Sequence, residues 1–146
     1  MFNFKLESVL NYRKVIEEKK VAEFFERQKE FQREKGILES LQSEKMLILG
    51  QFKKVQKSKF NAADVFFYFS YVKTLNEKEI AQKDVVERLS EDLEKTRREL
   101  LATVKDRKIM DNLKERQFLE FKEDDKLRER RATDEMAIQA FVRNEK

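Results

Sequence analysis

The residues VERLSEDLEKTRRELLAT, at positions 86–103, decide the fold of this chain. Their apolar and small side chains recur at alternating intervals of three and four residues, and the same ladder extends from position 72 to position 121. Its apolar and small members are Val72, Leu75, Val86, Leu89, Leu93, Thr96, Leu100, Thr103, Met110 and Phe121. An α-helix turns once per 3.6 residues, so a sustained spacing of 3.5 marks a seam that must be buried against another helix. The stretch therefore predicts a coiled coil.

The composition agrees with long helices. The 146 residues include no proline, two glycines and 42% charged residues, and the mean hydropathy is −0.81. These values are poor for a multilayer core, whereas 40% apolar residues at regular spacing are enough to fill helix seams. The chain has no cysteine, which excludes disulfides and thiolate metal sites. We expect no cofactor and no metal.

Charge and hydropathy also limit the partners. Residues 1–10 lack the apolar core of a signal peptide, and no run of apolar residues is long enough to span a membrane. This predicts a cytoplasmic protein that is not inserted in a membrane. The net charge of +4 arises from 33 basic and 29 acidic residues that are closely interleaved. The one basic cluster is too small to indicate a nucleic-acid partner; it consists of Lys53, Lys54, Lys57 and Lys59.

We predict an all-α fold, an antiparallel coiled-coil hairpin formed by a single domain, residues 1–146. The first helix is predicted at about 2–57, the tip at about 58–61 and a longer second helix at about 62–142. Asn61 is a preferred N-cap, and Asp64 places a carboxylate in the first turn of the second helix. A short connection makes the helices antiparallel neighbours, so position i should face approximately position 120 − i.

The apolar stripe of the first helix predicts its register. The stripe begins with Leu6, Val9 and Ile16, and after Lys20 it shifts by one residue to a series that contains Phe24, Phe31, Leu38 and Phe52. A slip of one residue predicts a register discontinuity that locally adjusts the supercoil.

Residues beyond about 120 have no partner within such a hairpin and form an overhanging C-terminal arm. The arm still carries apolar side chains, at Leu127, Met136, Ala137, Ile138 and Phe141. A helix with an unpaired apolar stripe is either partly frayed or docks onto another protein. The sequence leaves both readings open.

The segment from Val65 to Val72 departs from the ladder because it holds five aromatic residues in eight positions. At about 100° per residue, these side chains cover the whole circumference of a helix, and one partner helix can cover only one side. At least two or three should therefore face outward, out of Phe66, Phe67, Tyr68, Phe69 and Tyr71. Aromatic residues are enriched at interface cores, which predicts a binding patch. Alternatively, the tip folds back over them, with Phe52 and Phe60 completing a local cluster.

Catalysis is not expected. The chain has no histidine and no cysteine, so no base lies beside a nucleophile. Its two glycines stand apart and form no phosphate-binding loop. The densest acidic run is Glu123, Asp124 and Asp125, but consecutive helical residues point in different directions and do not converge on a metal. The sequence therefore predicts a protein that is not an enzyme.

Both ends of the chain resemble the FliJ family of flagellar protein-export components. The N-terminal resemblance lies in Phe2, Phe4, Leu6-Glu7-Ser8-Val9-Leu10 and Tyr12-Arg13, followed by Glu17 and Glu18. The C-terminal resemblance lies in Leu113-Lys114-Glu115-Arg116 and Phe121, followed by Asp134-Glu135-Met136-Ala137. Length and helical layout extend the resemblance over essentially the whole chain.

This resemblance implies a soluble stalk of the bacterial flagellar type III export apparatus, associated peripherally with the inner membrane. Members form a long antiparallel hairpin similar to the stalk subunit of rotary ATPases. The end that bears both termini inserts in the hexameric export ATPase and promotes its assembly and activity. The region nearer the tip binds the cytoplasmic domain of the membrane export gate, and members are associated with export chaperones. We expect the free protein to be monomeric.

Two sets of contact residues are expected if the chain acts as such a stalk. The family's gate-binding surface includes an aromatic residue followed four positions later by leucine, which Tyr71 and Leu75 match. With their neighbours, the expected export-gate patch is Leu41, Ile48, Phe67, Tyr68, Tyr71 and Leu75. Members often carry further tyrosines on the facing side of the first helix, where this chain has Glu44 and Ile48. The expected contacts to the ATPase ring are Arg13, Arg116, Arg130 and Arg131, charged side chains that reach the inner wall without locking to one subunit.

Three other functions fit the same pattern. An equivalent stalk of a virulence-type secretion system would have the same architecture and different partners. A basic coiled-coil protein that binds nucleic acid would bind less tightly as salt rises. A structural coiled coil could pair its helices between two chains.

Overall fold

The computed structural model describes residues 1–56 and 61–145. In these residues the chain forms two α-helices, α1 (Glu7–Gln56) and α2 (Ala62–Glu145), and no strand. The second helix is the longer, with 84 residues against 50. The predicted all-α hairpin with a longer second helix is confirmed.

The chain divides into two compact units, and the two helices contribute to both. Unit 1 contains residues 1–18 and 102–145, and unit 2 contains residues 19–101. Within each unit α1 packs against α2 in antiparallel register, and the facing residues follow the predicted relation between position i and position 120 − i. Examples in unit 1 are Phe2 with Phe118, at 5.3 Å between ring centroids, and Arg13 with Asp106, at 3.4 Å. Examples in unit 2 are Lys20 with Glu99, at 2.9 Å, and Phe52 with Tyr68, at 5.6 Å between centroids.

The predicted seam of α2 is confirmed. Every ladder position from Val72 to Phe121 is buried or half-buried. Several of these positions hold polar side chains, which a pattern of apolar residues does not include. These polar side chains form hydrogen bonds to α1. The Gln82 amide donates to the backbone carbonyl of Glu34 at 2.9 Å, and the Lys114 ammonium donates to the Glu7 carboxylate at 3.1 Å. Buried polar groups cost stability when they lack partners, and the described residues contain no unsatisfied buried side-chain atom.

The predicted stripe at the start of α1 is wrong for Leu6 and Val9, whereas Ile16 is half-buried. Leu6 and Val9 are 40% and 38% exposed, whereas Leu10 is 0% exposed. The buried and half-buried positions of α1 include one unbroken three-four series without the predicted slip; it runs 10, 13, 17, 20, 24, 27, 31, 34, 38, 41, 45, 48, 52 and 55.

The reason for this error is chemical. At its N-terminal end the series is filled by Arg13, Glu17 and Lys20, which form ion pairs with Asp106, Arg107 and Glu99 of α2. Long charged side chains bury their aliphatic stems in a helix seam while their charged ends pair at its edge. The spacing of apolar residues alone therefore pointed to Leu6 and Val9, which are exposed.

The first helix also begins later than predicted, at Glu7 rather than near Phe2. The Leu6 carbonyl accepts the first α-helical hydrogen bond, from the Leu10 amide at 3.0 Å. Two residues apart on a helix lie about 200° apart, so a helical backbone could not turn both Phe2 and Phe4 toward α2. The non-helical backbone lets Phe4 become buried while the Phe2 ring packs on Phe118.

The second helix begins where its cap predicts. Asn61 precedes the first helical residue, Ala62, and its carbonyl accepts hydrogen bonds from the amides of Asp64 and Val65 at 3.0 and 3.3 Å. The helix continues to Glu145, slightly beyond the predicted end. Apart from Asn61, the predicted tip lies outside the described residues.

Glu79 is a buried acid in the seam of unit 2. The residue is 8% exposed, and its carboxylate accepts hydrogen bonds from Lys83 and Lys45, both at 3.3 Å, and from the Gln42 amide at 3.4 Å. The hydrogen bonds from Lys83, Lys45 and Gln42 lower the pKa of Glu79 despite its burial. The folded state therefore holds the charged form of this carboxylate in preference to the neutral form.

The lowered pKa of Glu79 predicts how the free energy of unfolding should change with pH. Above the unfolded-state pKa of about 4.3 the contribution of Glu79 is fully present, and it is lost as pH falls through the lower folded-state pKa. Replacing Glu79 by Gln removes the titration, so acidification from pH 7 to pH 3 should destabilise Glu79→Gln less than the wild type. Urea unfolding followed by circular dichroism at both pH values measures this. The matched control is Glu77→Gln at an exposed position, which should lose as much stability between pH 7 and pH 3 as the wild type. An equal loss in all three proteins would contradict the role of Glu79.

Candidate functional site: the aromatic segment and the C-terminal arm

Three phenylalanines of the aromatic segment are exposed, as predicted. Phe66, Phe67 and Phe69 are 74%, 67% and 66% exposed, whereas Tyr68 and Tyr71 are half-buried. Exposed aromatic side chains in close sequence are unusual on a protein surface without a partner. The segment therefore presents apolar area to solvent on more than one side of α2.

One side carries a stacked pair of rings, which we call the Tyr71 surface and define as Glu44, Phe67 and Tyr71. The rings of Phe67 and Tyr71 are nearly parallel, at 12°, with their centroids 6.5 Å apart. The Tyr71 hydroxyl donates a hydrogen bond to the Glu44 carboxylate of α1. This hydrogen bond, together with partial burial and the negative charge of Glu44, raises the pKa of Tyr71. The phenol is thus held neutral and its ring is held in one orientation, with Phe67 exposed beside it.

The other side carries an apolar groove, which we call the Phe69 groove. It has a volume of about 170 Å³ and is lined by Leu49, Phe52, Tyr68, Phe69 and Val72. The Phe52 ring from α1 packs against Tyr68 and Phe69, with centroids 5.6 and 6.1 Å apart. Phe52 therefore joins the aromatic cluster, as the alternative reading expected, whereas Phe60 lies outside the described residues.

The structure separates the six residues expected at an export-gate patch. Phe67 is exposed and Tyr71 half-buried on the Tyr71 surface. Leu75 is 3% exposed and belongs to the seam rather than to the Tyr71 surface. The half-buried Leu41 and Ile48 occupy seam positions of α1, and the half-buried Tyr68 lines the Phe69 groove.

Sequence reasoning missed the part played by Glu44. The residue stood out only as a departure from the tyrosines that related proteins carry, yet its carboxylate holds the Tyr71 hydroxyl. The approximate pairing rule places Tyr71 opposite position 49, too far along α1 to single out Glu44. The signal that could have identified Glu44 is a carboxylate close enough to accept a hydrogen bond from a tyrosine. To use it, one must know which side of α1 faces Tyr71, and the sequence does not give this.

The four arginines expected at an ATPase ring have different surroundings. Arg13 is half-buried and pairs with Asp106 at 3.4 Å, so it helps to hold unit 1 together. Arg116, Arg130 and Arg131 are exposed, and within residues 1–56 and 61–145 none of them forms an ion pair. These three guanidinium groups are available to a partner.

The C-terminal arm, residues 122–145, is helical and exposed at every position. This confirms the expectation that residues beyond about 120 lie free of α1. Its exposed apolar side chains include Leu127, Met136, Ala137, Ile138, Phe141 and Val142. The arm therefore presents both charged and apolar side chains to a partner.

In residues 1–56 and 61–145, no cluster of acidic side chains is placed to hold a metal ion. Over the same residues, neither helix contains an apolar stretch that could cross a membrane.

One comparison with known proteins identifies a family. The family model described as "Flagellar FliJ protein" matches residues 2–146. No curated protein and no solved structure shows a significant match.

Proposed function

Because the chain belongs to the FliJ family, and is thereby a component of the flagellar export apparatus, we propose that it is a non-enzymatic stalk that couples the export ATPase to the membrane export gate. In this role the end bearing both termini enters the central hole of the hexameric ATPase and promotes its assembly and activity. The aromatic segment contacts the cytoplasmic domain of the gate, and export chaperones bind the same protein. The stalk acts as a cytoplasmic monomer at the inner membrane.

The observation that carries this proposal is the exposed C-terminal arm. It extends α2 by more than six turns of exposed helix beyond Phe121. A helix of this length without a partner among the described residues is suited to lie inside a ring. The arm carries the unpaired Arg130 and Arg131, with Arg116 shortly before it. Exposed charge contacts contribute about 0–1 kcal/mol each, which allows exchange among six equivalent subunits.

Charge reversal within the arm and just before it tests the ATPase contact. We expect the protein to stimulate steady-state ATP hydrolysis by the cognate export ATPase, and the combined variant Arg116→Glu, Arg130→Glu, Arg131→Glu to lose most of this stimulation. Three unfavourable contacts of about 1 kcal/mol each would raise the concentration for half-maximal stimulation by about 100-fold. The measurement is ATP turnover against protein concentration.

Two controls make the result specific. Lys29→Glu reverses an exposed charge in unit 2 and should stimulate like the wild type. Arg13 is left unchanged because its loss would break the pair with Asp106 and confuse folding with binding. A triple variant that stimulates fully would remove the arm from the contact. No stimulation by the wild-type protein, with an active ATPase, would overturn the stalk assignment.

The Tyr71 surface supports the proposed gate contact. It combines an exposed Phe67 ring with a Tyr71 ring held by Glu44, so little side-chain freedom is lost on binding. Large, oriented aromatic side chains are the usual anchors of protein interfaces. We therefore assign the gate contact to Phe67 and Tyr71.

A further inference from the structure

The aromatic segment presents two surfaces on different sides of α2, and they adjoin where the rings of Phe67 and Tyr68 meet with centroids 6.3 Å apart. Phe67 and Phe69 are two residues apart and point in directions about 200° apart on α2. On α1, Glu44 and Leu49 are five residues apart, which separates them by about 140°. Phe67 lies with Tyr71 and Glu44, whereas Phe69 lies with Leu49 in the groove. A partner bound to the Tyr71 surface would leave the Phe69 groove uncovered.

We propose that the Phe69 groove is a second protein-binding site, which takes the apolar face of an acidic amphipathic helix. This goes beyond the coupling role, because the gate contact uses the other side of the hairpin. The proposal rests on the size of the groove, its lining and the charges at its rim.

The size of the groove indicates a side chain rather than a cofactor. Its volume of about 170 Å³ is close to the roughly 150 Å³ cavity that holds one benzene ring. It lies well below the roughly 300–1,000 Å³ of small-molecule sites. Because its lining is aromatic and aliphatic, a side chain the size of leucine or phenylalanine fits it. A helix in a groove commonly binds through such anchors at intervals of three and four residues.

The rim of the groove is basic. Lys53 lies four residues after Leu49, and Lys73 lies four residues after Phe69, so each lysine shares the helix face of a lining residue. Both lysines are exposed, and neither forms an ion pair with any other described residue. The one acid three or four positions from a lining residue is Asp64, in the first turn of α2. Unpaired cations on both rims are complementary to acidic residues that flank an apolar anchor.

Two designed peptides test the site in the full-length protein. Both are helical, with leucines at intervals of three and four on one face; the other positions hold glutamate in one peptide and lysine in the other. Fluorescence anisotropy should show the glutamate peptide binding at least tenfold more tightly than the lysine peptide. Because salt screens exposed charges, binding should weaken severalfold between 0.05 and 0.5 M salt.

Matched variants locate the binding. Phe69→Glu places a charge in the groove at an exposed position and should weaken binding of the glutamate peptide at least tenfold. Lys53→Glu with Lys73→Glu should abolish the preference for the glutamate peptide. Phe25→Ala removes an exposed ring elsewhere in unit 2 and should bind like the wild type.

Three results would overturn the proposal. One is that neither peptide binds, and another is that Phe69→Glu binds like the wild type. The third is that phosphatidylserine vesicles bind the protein through Phe69 while the peptides do not, which would assign the surface to a membrane. Phe69→Glu should still stimulate the export ATPase. The proposal about the groove can therefore be refuted without refuting the stalk function, and the reverse is also true.

Discussion

Truncation of Leu10 to alanine should lower the free energy of unfolding by about 2–5 kcal/mol, as large-to-small substitutions in packed interiors do. Leu10 is 0% exposed and is the largest fully buried side chain among the described residues. The hairpin has few fully buried side chains to compensate, because its seam is mostly half-buried. Loss of this leucine should therefore loosen the packing of residues 1–18 against α2.

The matched control is Leu6→Ala, the same substitution four residues earlier. Leu6 is 40% exposed. Its truncation should lower the free energy of unfolding by less than about 1 kcal/mol, because a partly exposed side chain has less buried apolar area to lose. Urea unfolding followed by circular dichroism measures both variants. The apolar stripe read from the sequence predicts the opposite order, since it places Leu6 in the seam. A larger cost for Leu6→Ala would restore that stripe and contradict the register of the structure.

Replacing Phe67 by alanine should weaken binding to the cytoplasmic domain of the export gate by about 30-fold or more, the loss of about 2 kcal/mol typical of an interface anchor. The exposed Phe67 ring extends the stack that begins at Tyr71, and the Glu44 carboxylate fixes the Tyr71 hydroxyl. Because Phe67 is 67% exposed, its truncation should leave the free energy of unfolding nearly unchanged. Isothermal titration calorimetry with the isolated gate domain measures the affinity.

Phe66→Ala is the matched control for the gate contact. Phe66 is the neighbouring residue, is 74% exposed and points about 100° away on the helix. Its truncation should reduce gate affinity by less than threefold. Equal losses for the two variants would indicate a general apolar effect rather than a contact by the Tyr71 surface. Wild-type affinity for Phe67→Ala would place the gate contact elsewhere.

Leu75 shows why a motif position and a contact residue can differ. The spacing of Tyr71 and Leu75 matches the family's gate-binding pattern, but Leu75 is 3% exposed in the seam. Residues four apart on a helix lie on neighbouring parts of one face, so a side chain at the edge of the seam is adjacent to one inside it. We therefore propose no direct gate contact for Leu75.

Much of the architecture could be predicted because it depends on repetition. Alternate spacings of three and four residues in the second half of the chain require a partner helix, whatever that helix is. A capping asparagine at position 61 locates the start of α2, and the position of the tip then sets which residues face each other. The free arm follows from the unequal lengths of the two helices. The excess of aromatic residues in Val65–Val72 predicts exposure because a two-helix packing covers one side only.

The remaining features depend on particular atoms rather than on the repeat. Arg13, Glu17 and Lys20 occupy seam positions because each finds a charged partner on α2, and spacing of apolar residues cannot reveal such pairs. Glu44 accepts a hydrogen bond from the Tyr71 hydroxyl, and the sequence alone does not show that these two side chains face each other.

By itself, then, the sequence determined two long antiparallel helices, their facing residues, the free arm and the surplus of aromatic rings, since helical periodicity is a property of the chain alone. The ladder of α2 predicted its buried side, but the tertiary structure decided which side of α1 meets it. That choice places Leu10 inside and Leu6 outside, and it divides the aromatic rings between the Tyr71 surface and the Phe69 groove. The division depends on how side chains from both helices pack and pair across the seam, and no single helix carries that information.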